Sequence, residues 1–184
     1  MKSLWIEESM LYDGQQLVSR FAYMNYGLLG DSVVAWSGPC DIPTEHMVDG
    51  EDVLAGAAIR GGEMLHFIVE GFGMNLFSAV ALQRLLAAIV KDELTGLGAV
   101  GLYRAGDDIF QGEKKLSISI ATVSPISAMI HFAVNITNEN TPVPTVSLND
   151  MDVIAQDFAI TVMSRLTREV ASIKEATQKV NWVR

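Results

Sequence analysis

Residues 74–94 contain no helix breaker and are rich in Leu, Ala and Met, all good helix formers. Their apolar members Leu76, Phe77, Val80, Leu82, Leu85, Leu86, Ile89 and Val90 lie nearly all round the cylinder. A helix with that pattern is expected to be buried, not laid on a surface. Thr95-Gly96 supplies its stop. A second helix is expected from about Leu148 to Lys179, with Ser147 and Asp150 spaced as in a capping arrangement. There Met151, Ile154, Phe158, Val162, Leu166, Val170 and Ile173 recur every three or four residues as one stripe. Arg165, Arg168, Glu169, Lys174 and Glu175 fill the opposite side, so this helix should cover something flat.

The flat partner is expected to be a β-sheet. Residues 32–36 read as a strand ended by Gly38-Pro39, and residues 64–70 as another ended by Gly71-Phe72-Gly73. Residues 108–110 and 115–123 flank a short Gly-containing hairpin link, and residues 128–136 return antiparallel after Ser124-Pro125. Two prolines make residues 138–147 a loop. With no repeat and no linker, the 184 residues read as one α+β domain, 1–184, in which two long helices pack on a largely antiparallel mixed sheet.

Composition narrows the function classes. A chain of this length buries about 70% of its unfolded surface, enough for a core without disulfides or structural metal. Cys40 is the only cysteine, which removes disulfide frameworks and Cys-based zinc sites. The 13 basic residues against 22 acidic ones give a net charge of −9 and argue against a nucleic-acid partner. The N-terminus reaches Glu7 and Glu8 before any signal-like apolar run. The stretch 76–90 is too short and too polar to cross a bilayer, so no membrane partner and a cytoplasmic location are expected.

The densest polar constellation is Arg104, Asp107, Asp108, Lys115, Ser117, Ser119, His131 and Asn135. Strand alternation sets Asp107 and Asp108 on opposite faces and puts Lys115, Ser117 and Ser119 on one face. If the return strand faces that side, His131 and Asn135 look onto the same surface. Arg104, Lys115 and His131 would then make a positive hollow suited to a carboxylate or phosphate. The alternative is a solvated lysine at a hairpin edge beside ordinary strand serines. Arg84, in an apolar helix, is expected to need a carboxylate, with Glu70 as candidate, or else to anchor a ligand. Arg20, ahead of Gly27 and Gly30, has the same two readings. His66 reads as a core histidine, Cys40 as a plain small residue, and the acidic run around His46 as a solvated loop; no metal ligands are assigned.

The run Arg104, Gly106-Asp107-Asp108-Ile109, Gly112, Lys115-Leu116 and His131 to Ile136 resembles the catalytic half of the biotin and lipoate protein ligase superfamily. More closely, the phrase from Lys115 to Pro125, with Arg20, Gly27, Gly30-Asp31, Glu70 and Gln83-Arg84, resembles the domain of unknown function family 366 over nearly the whole chain. The ligase resemblance implies a ligase or acyltransferase acting on a small carboxylic acid, with ATP and Mg²⁺ as cofactors. It places Lys115 at the acid's carboxyl, Asp107 and Asp108 near the acyl-adenylate or its metal, and His131 at the acyl site. Arg20, Arg84, Arg104, Glu70, Ser117, Ser119 and Asn135 surround the substrate in this reading. The chain departs from the superfamily in its phosphate-binding loop, since residues 20–31 offer one arginine and two separated glycines. Two further readings stand beside the enzyme: a non-catalytic binder of a carboxylate or nucleotide, and a homodimeric interaction protein.

Overall fold

The structure, a computed structural model, describes residues 1–57 and 59–183. Five strands form the main sheet in the order β1-β2-β3-β8-β7: β1 (Lys2–Trp5), β2 (Ser32–Ile42), β3 (Ile59–Phe72), β7 (Ser117–Val123) and β8 (Ser127–Asn135). Only β1 and β2 run parallel, and every other pair is antiparallel, which gives the mixed sheet expected. Three short strands, β4 (Leu102–Ala105), β5 (Asp108–Gln111) and β6 (Lys114–Lys115), make a separate antiparallel sheet. The helices are α1 (Phe21–Tyr26), α2 (Gly50–Ala55), α3 (Leu76–Gly96) and α4 (Ala155–Gln178).

Both long helices lie on one face of the main sheet. Val33, Ala35, Leu65, Phe67, Val69, Ile130, Phe132 and Val134 point toward them and meet Leu82, Leu86, Val90, Phe158, Val162 and Leu166. Each fully buried side chain of this size contributes about 1.5–3 kcal/mol. The opposite face carries Val34, Trp36, Met64, Ile68 and Ala133 and is covered by Ile6, Tyr12, Phe21 and Ala22. No helix of the described residues is long and apolar enough to cross a membrane.

Several local expectations shift. Strand β2 does not end at Gly38-Pro39: a register shift between Pro39 and Cys40 absorbs the proline, which has no N–H to give, and pairing resumes to Ile42. The long helix α3 starts where Asn75 accepts a bond from the Ser78 N–H, but it is not buried all round, since Phe77 is 84% exposed. Helix α4 starts seven residues later than the capping spacing suggested. Asp150 does accept bonds from the Ser147 N–H and hydroxyl, yet it closes a single 3₁₀ turn (Asn149–Met151) that Asp152, in the left-handed region, terminates.

Candidate functional site

A cleft of about 480 Å³ opens at the free edge of β7, between the three-stranded sheet, the N-terminal end of α2 and the loop at residues 141–145. It is lined by Asp107, Asp108, Lys115, Ser117, Ser119 and Asn135 among the anticipated residues. Lys115, in β6, is fixed from three sides: it pairs with Phe110 of β5, its N–H donates to the Pro144 carbonyl, and its own carbonyl accepts from the Asn135 amide. Its ammonium sits 2.8 Å from an Asp108 carboxylate oxygen, with both side chains about 30% exposed. Burial holds the Asp108 carboxyl above its usual range; the Lys115 charge opposes this, and Asp107 and Asp52 reinforce it.

Behind that pair lies a network that sequence reasoning passed over in favour of its neighbour. Gln83, 5% exposed on α3, donates from Nε2 to Asp107 Oδ2 at 2.9 Å and to the Ser119 hydroxyl at 2.7 Å. Ser119 donates to the same carboxylate oxygen at 2.7 Å. A glutamine inside an apolar helix was the available signal: a buried amide needs partners. The variant Gln83→Leu is expected to lose about 1–3 kcal/mol, since it strips the half-buried Asp107 carboxylate and the Ser119 hydroxyl of a donor. An unchanged urea midpoint would contradict this.

The structure redistributes the remaining candidates. On β7, Ser117 and Ser119 pair with Val134 and Phe132 and so face the helices, whereas Ile118 and Ile120 pair with Ala133 and His131. Lys115 belongs to β6 of the smaller sheet and lines the cleft, whereas His131 does not reach the cleft and lines a smaller recess next to it. Asp107 and Asp108 both line the cleft because Asp107 belongs to the turn before β5, where strand alternation does not apply. Ser117 accepts from the Ile109 N–H at 2.9 Å, and Asn135 also donates to the Val146 carbonyl, so both brace the site's backbone.

None of the three arginines reaches the cleft. Arg104 is exposed and folds back onto the Gly106 carbonyl of its own turn. Arg84 is exposed, with its guanidinium against Gly106, and makes no ion pair with Glu70. Helical geometry turns position 84 outward and position 83 inward, so no carboxylate is required. Arg20 is also exposed, in the left-handed region at φ 67°, and its backbone N–H donates to Glu70 at 2.7 Å. Glu70, 3% exposed, accepts a second bond from the Ser127 hydroxyl and so ties the 19–20 turn to the sheet.

The hollow is consequently acidic where a positive one was expected. Asp49, Glu51, Asp52, Asp107 and Asp108 line it against Lys115 and Arg60. Arg60 is itself paired with Asp41 at 3.0 Å. Both cations are engaged by carboxylates, so neither stands free to take a phosphate, and no three His, Cys, Asp or Glu among the described residues are grouped to hold a metal ion by themselves.

The fold has known counterparts. A protein of unknown function from Pyrococcus horikoshi, 36% identical, superposes with a TM-score of 0.94 over all of both chains. Biotin protein ligase from Aquifex aeolicus in complex with biotin and ATP is 13% identical with a TM-score of 0.61, covering 95% of this chain and 72% of that one. Lipoate-protein ligase A bound with ATP is 16% identical with a TM-score of 0.53, covering 94% and 86%. At such identities the likeness to the ligases is one of fold. Residues 1–181 match the model of the domain of unknown function family DUF366, and the chain belongs to that family.

Proposed function

We infer that this chain binds a small organic molecule in the cleft beside Lys115, and that the polar end of this molecule is neutral or cationic. The observation that supports the reading is the lining: five carboxylates surround a cavity whose two cations are already paired. Partly desolvated like charges repel strongly, so an anionic ligand must either displace Asp108 from Lys115 or enter against the field. An amine, amide or nucleoside meets acceptors at Asp107 and Asp108, and its body meets Ile59, Met64, Ile118 and Val143. Thermal-shift titration with size-matched amines, amides, nucleosides and carboxylates tests the reading. Stabilisation by donor-bearing compounds is expected, weakened at least tenfold by Asp107→Asn. Stabilisation by carboxylates alone would overturn it.

A second reading, a cofactor ligase or acyltransferase acting on a small carboxylic acid, is favoured by the likeness to the two ligases and by Lys115 at the cleft wall. It requires the substrate carboxyl to replace Asp108 on the ammonium. Pyrophosphate release from ATP in the presence of an acid, lost in Lys115→Ala, would support it over simple binding. No release with any acid would remove adenylation.

A further inference from the structure

The recess beside the cleft, about 50 Å³, is lined by Tyr12, His46, Asp52, Ile118, Ser119 and His131. Asp52, Ile118 and Ser119 line the outer cleft as well, so the two hollows adjoin. Such a volume holds a few waters or one compact polar head group. His131, 1% exposed, is part of that lining, and His66, 0% exposed, stands behind it, ring nitrogen to ring nitrogen.

Hydrogen bonding fixes which nitrogens carry protons. The Gly38 carbonyl can only accept, so His66 Nε2, 3.0 Å away, is the donor. In a neutral ring His66 Nδ1 is then a bare acceptor, and His131 Nε2, 3.0 Å from it, must donate. That leaves His131 Nδ1 as a lone pair to which nothing among the described residues donates. Burial keeps both rings neutral: it pushes His66 down to about 4, and it pushes His131 well below its ordinary value, helped by the neighbouring imidazole. Tyr12 holds the His131 ring in place, stacked at 3.6 Å between centroids and 11° between planes.

We propose that His131 Nδ1 is the specificity-determining acceptor of this recess and receives an N–H or O–H from the head group of the molecule bound in the cleft. This rests on the cleft reading above and narrows it to ligands with a compact donor head, such as a primary amide, a guanidinium or an amine. A carboxylate of the same shape would set its lone pairs against that of Nδ1 and against Asp52. A site whose buried acceptor expects a donor discriminates strongly against an analogue lacking one.

Acetamide and acetate, equal in shape and opposite in donor capacity, are the probes. Histidine ring-nitrogen NMR of the full ¹⁵N-labelled chain should show His131 protonated at Nε2 and bare at Nδ1. Acetamide should move Nδ1 upfield and bind at least tenfold more tightly than acetate. His131→Gln, which offers an amide donor to His66 and a carbonyl to the recess, should keep the preference. His131→Phe, which keeps the stack on Tyr12, should abolish it. A proton on Nδ1 in the free protein, equal shifts with acetate, or an unmoved Nδ1 with acetamide overturns the proposal. In the last case, shifts confined to Lys115 and Ser119 leave the cleft reading standing.

Discussion

Acidification from pH 7 to pH 4 is expected to remove about 3 kcal/mol of folding stability through His66 alone. The native ring is neutral, wedged between the Gly38 carbonyl and His131, and burial pushes its pKa from 6.5 to about 4. The unfolded chain therefore takes up a proton as pH falls below about 6.5 while the folded chain does not. Stability is present in full above that value and is lost progressively until the folded ring itself titrates near 4. His131 is shifted the same way and adds to the loss. Asp108, whose carboxyl is raised by burial, works in the opposite direction, because its folded form takes up its proton before the unfolded one. Asp31 and Asp150 are lowered; the Lys174 and Phe72 bonds to Asp31 overcome its burial, and the Asn138 amide leads at Asp150. Both add to the loss from about pH 5 downward, where the unfolded carboxyls take up protons before the folded ones. Urea midpoints measured from pH 7 to 4 should fall steadily in the native chain and flatten in a His66→Gln, His131→Gln double variant. A native midpoint that does not move with pH would show that the pair is not held neutral.

Gly38→Ala is expected to cost about 3 kcal/mol and to disturb the recess at the same time. A Cβ at that position would stand 2.1 Å from the Met10 carbonyl oxygen and 2.8 Å from its carbon, both backbone atoms with no rotamer to escape into. The Met10 carbonyl also accepts the Trp36 indole N–H at 2.9 Å. Two residues on, Tyr12 bonds the Pro39 carbonyl through its N–H and the Asp41 N–H through its carbonyl. Moving Met10 aside thus loosens the segment that presents Tyr12 to His131. Gly96→Ala, at the end of α3 with open space around it, is the control and should change stability by less than about 1 kcal/mol. Coincident urea midpoints for the two variants would refute the close approach.

Elements whose reasons are local were legible in the chain. The helix at 76–96 and the strands at 117–123 and 127–135 follow from propensity, period and turn residues within a few positions of one another. The Ser147–Asp150 pairing was also correct, but the spacing could not say whether one turn or a long helix followed it. Gln83 and Arg84 show the limit most plainly. Both are polar in an apolar helix, and only the packing of α3 against β7 decides that the amide goes inward and the guanidinium outward.

By itself the sequence determined the α+β class, the antiparallel return of β8, the hairpin link between residues 108–110 and Lys115, and the family. Only the tertiary structure decided the sign of the cleft's charge, the burial of Glu70 and the meeting of His66, His131 and Tyr12. Periodicity is a property of neighbours along the chain, so it reports which residues alternate. Which face an edge strand turns to the helices, and which distant loop covers the other, depends on contacts across tens of residues that leave no local pattern.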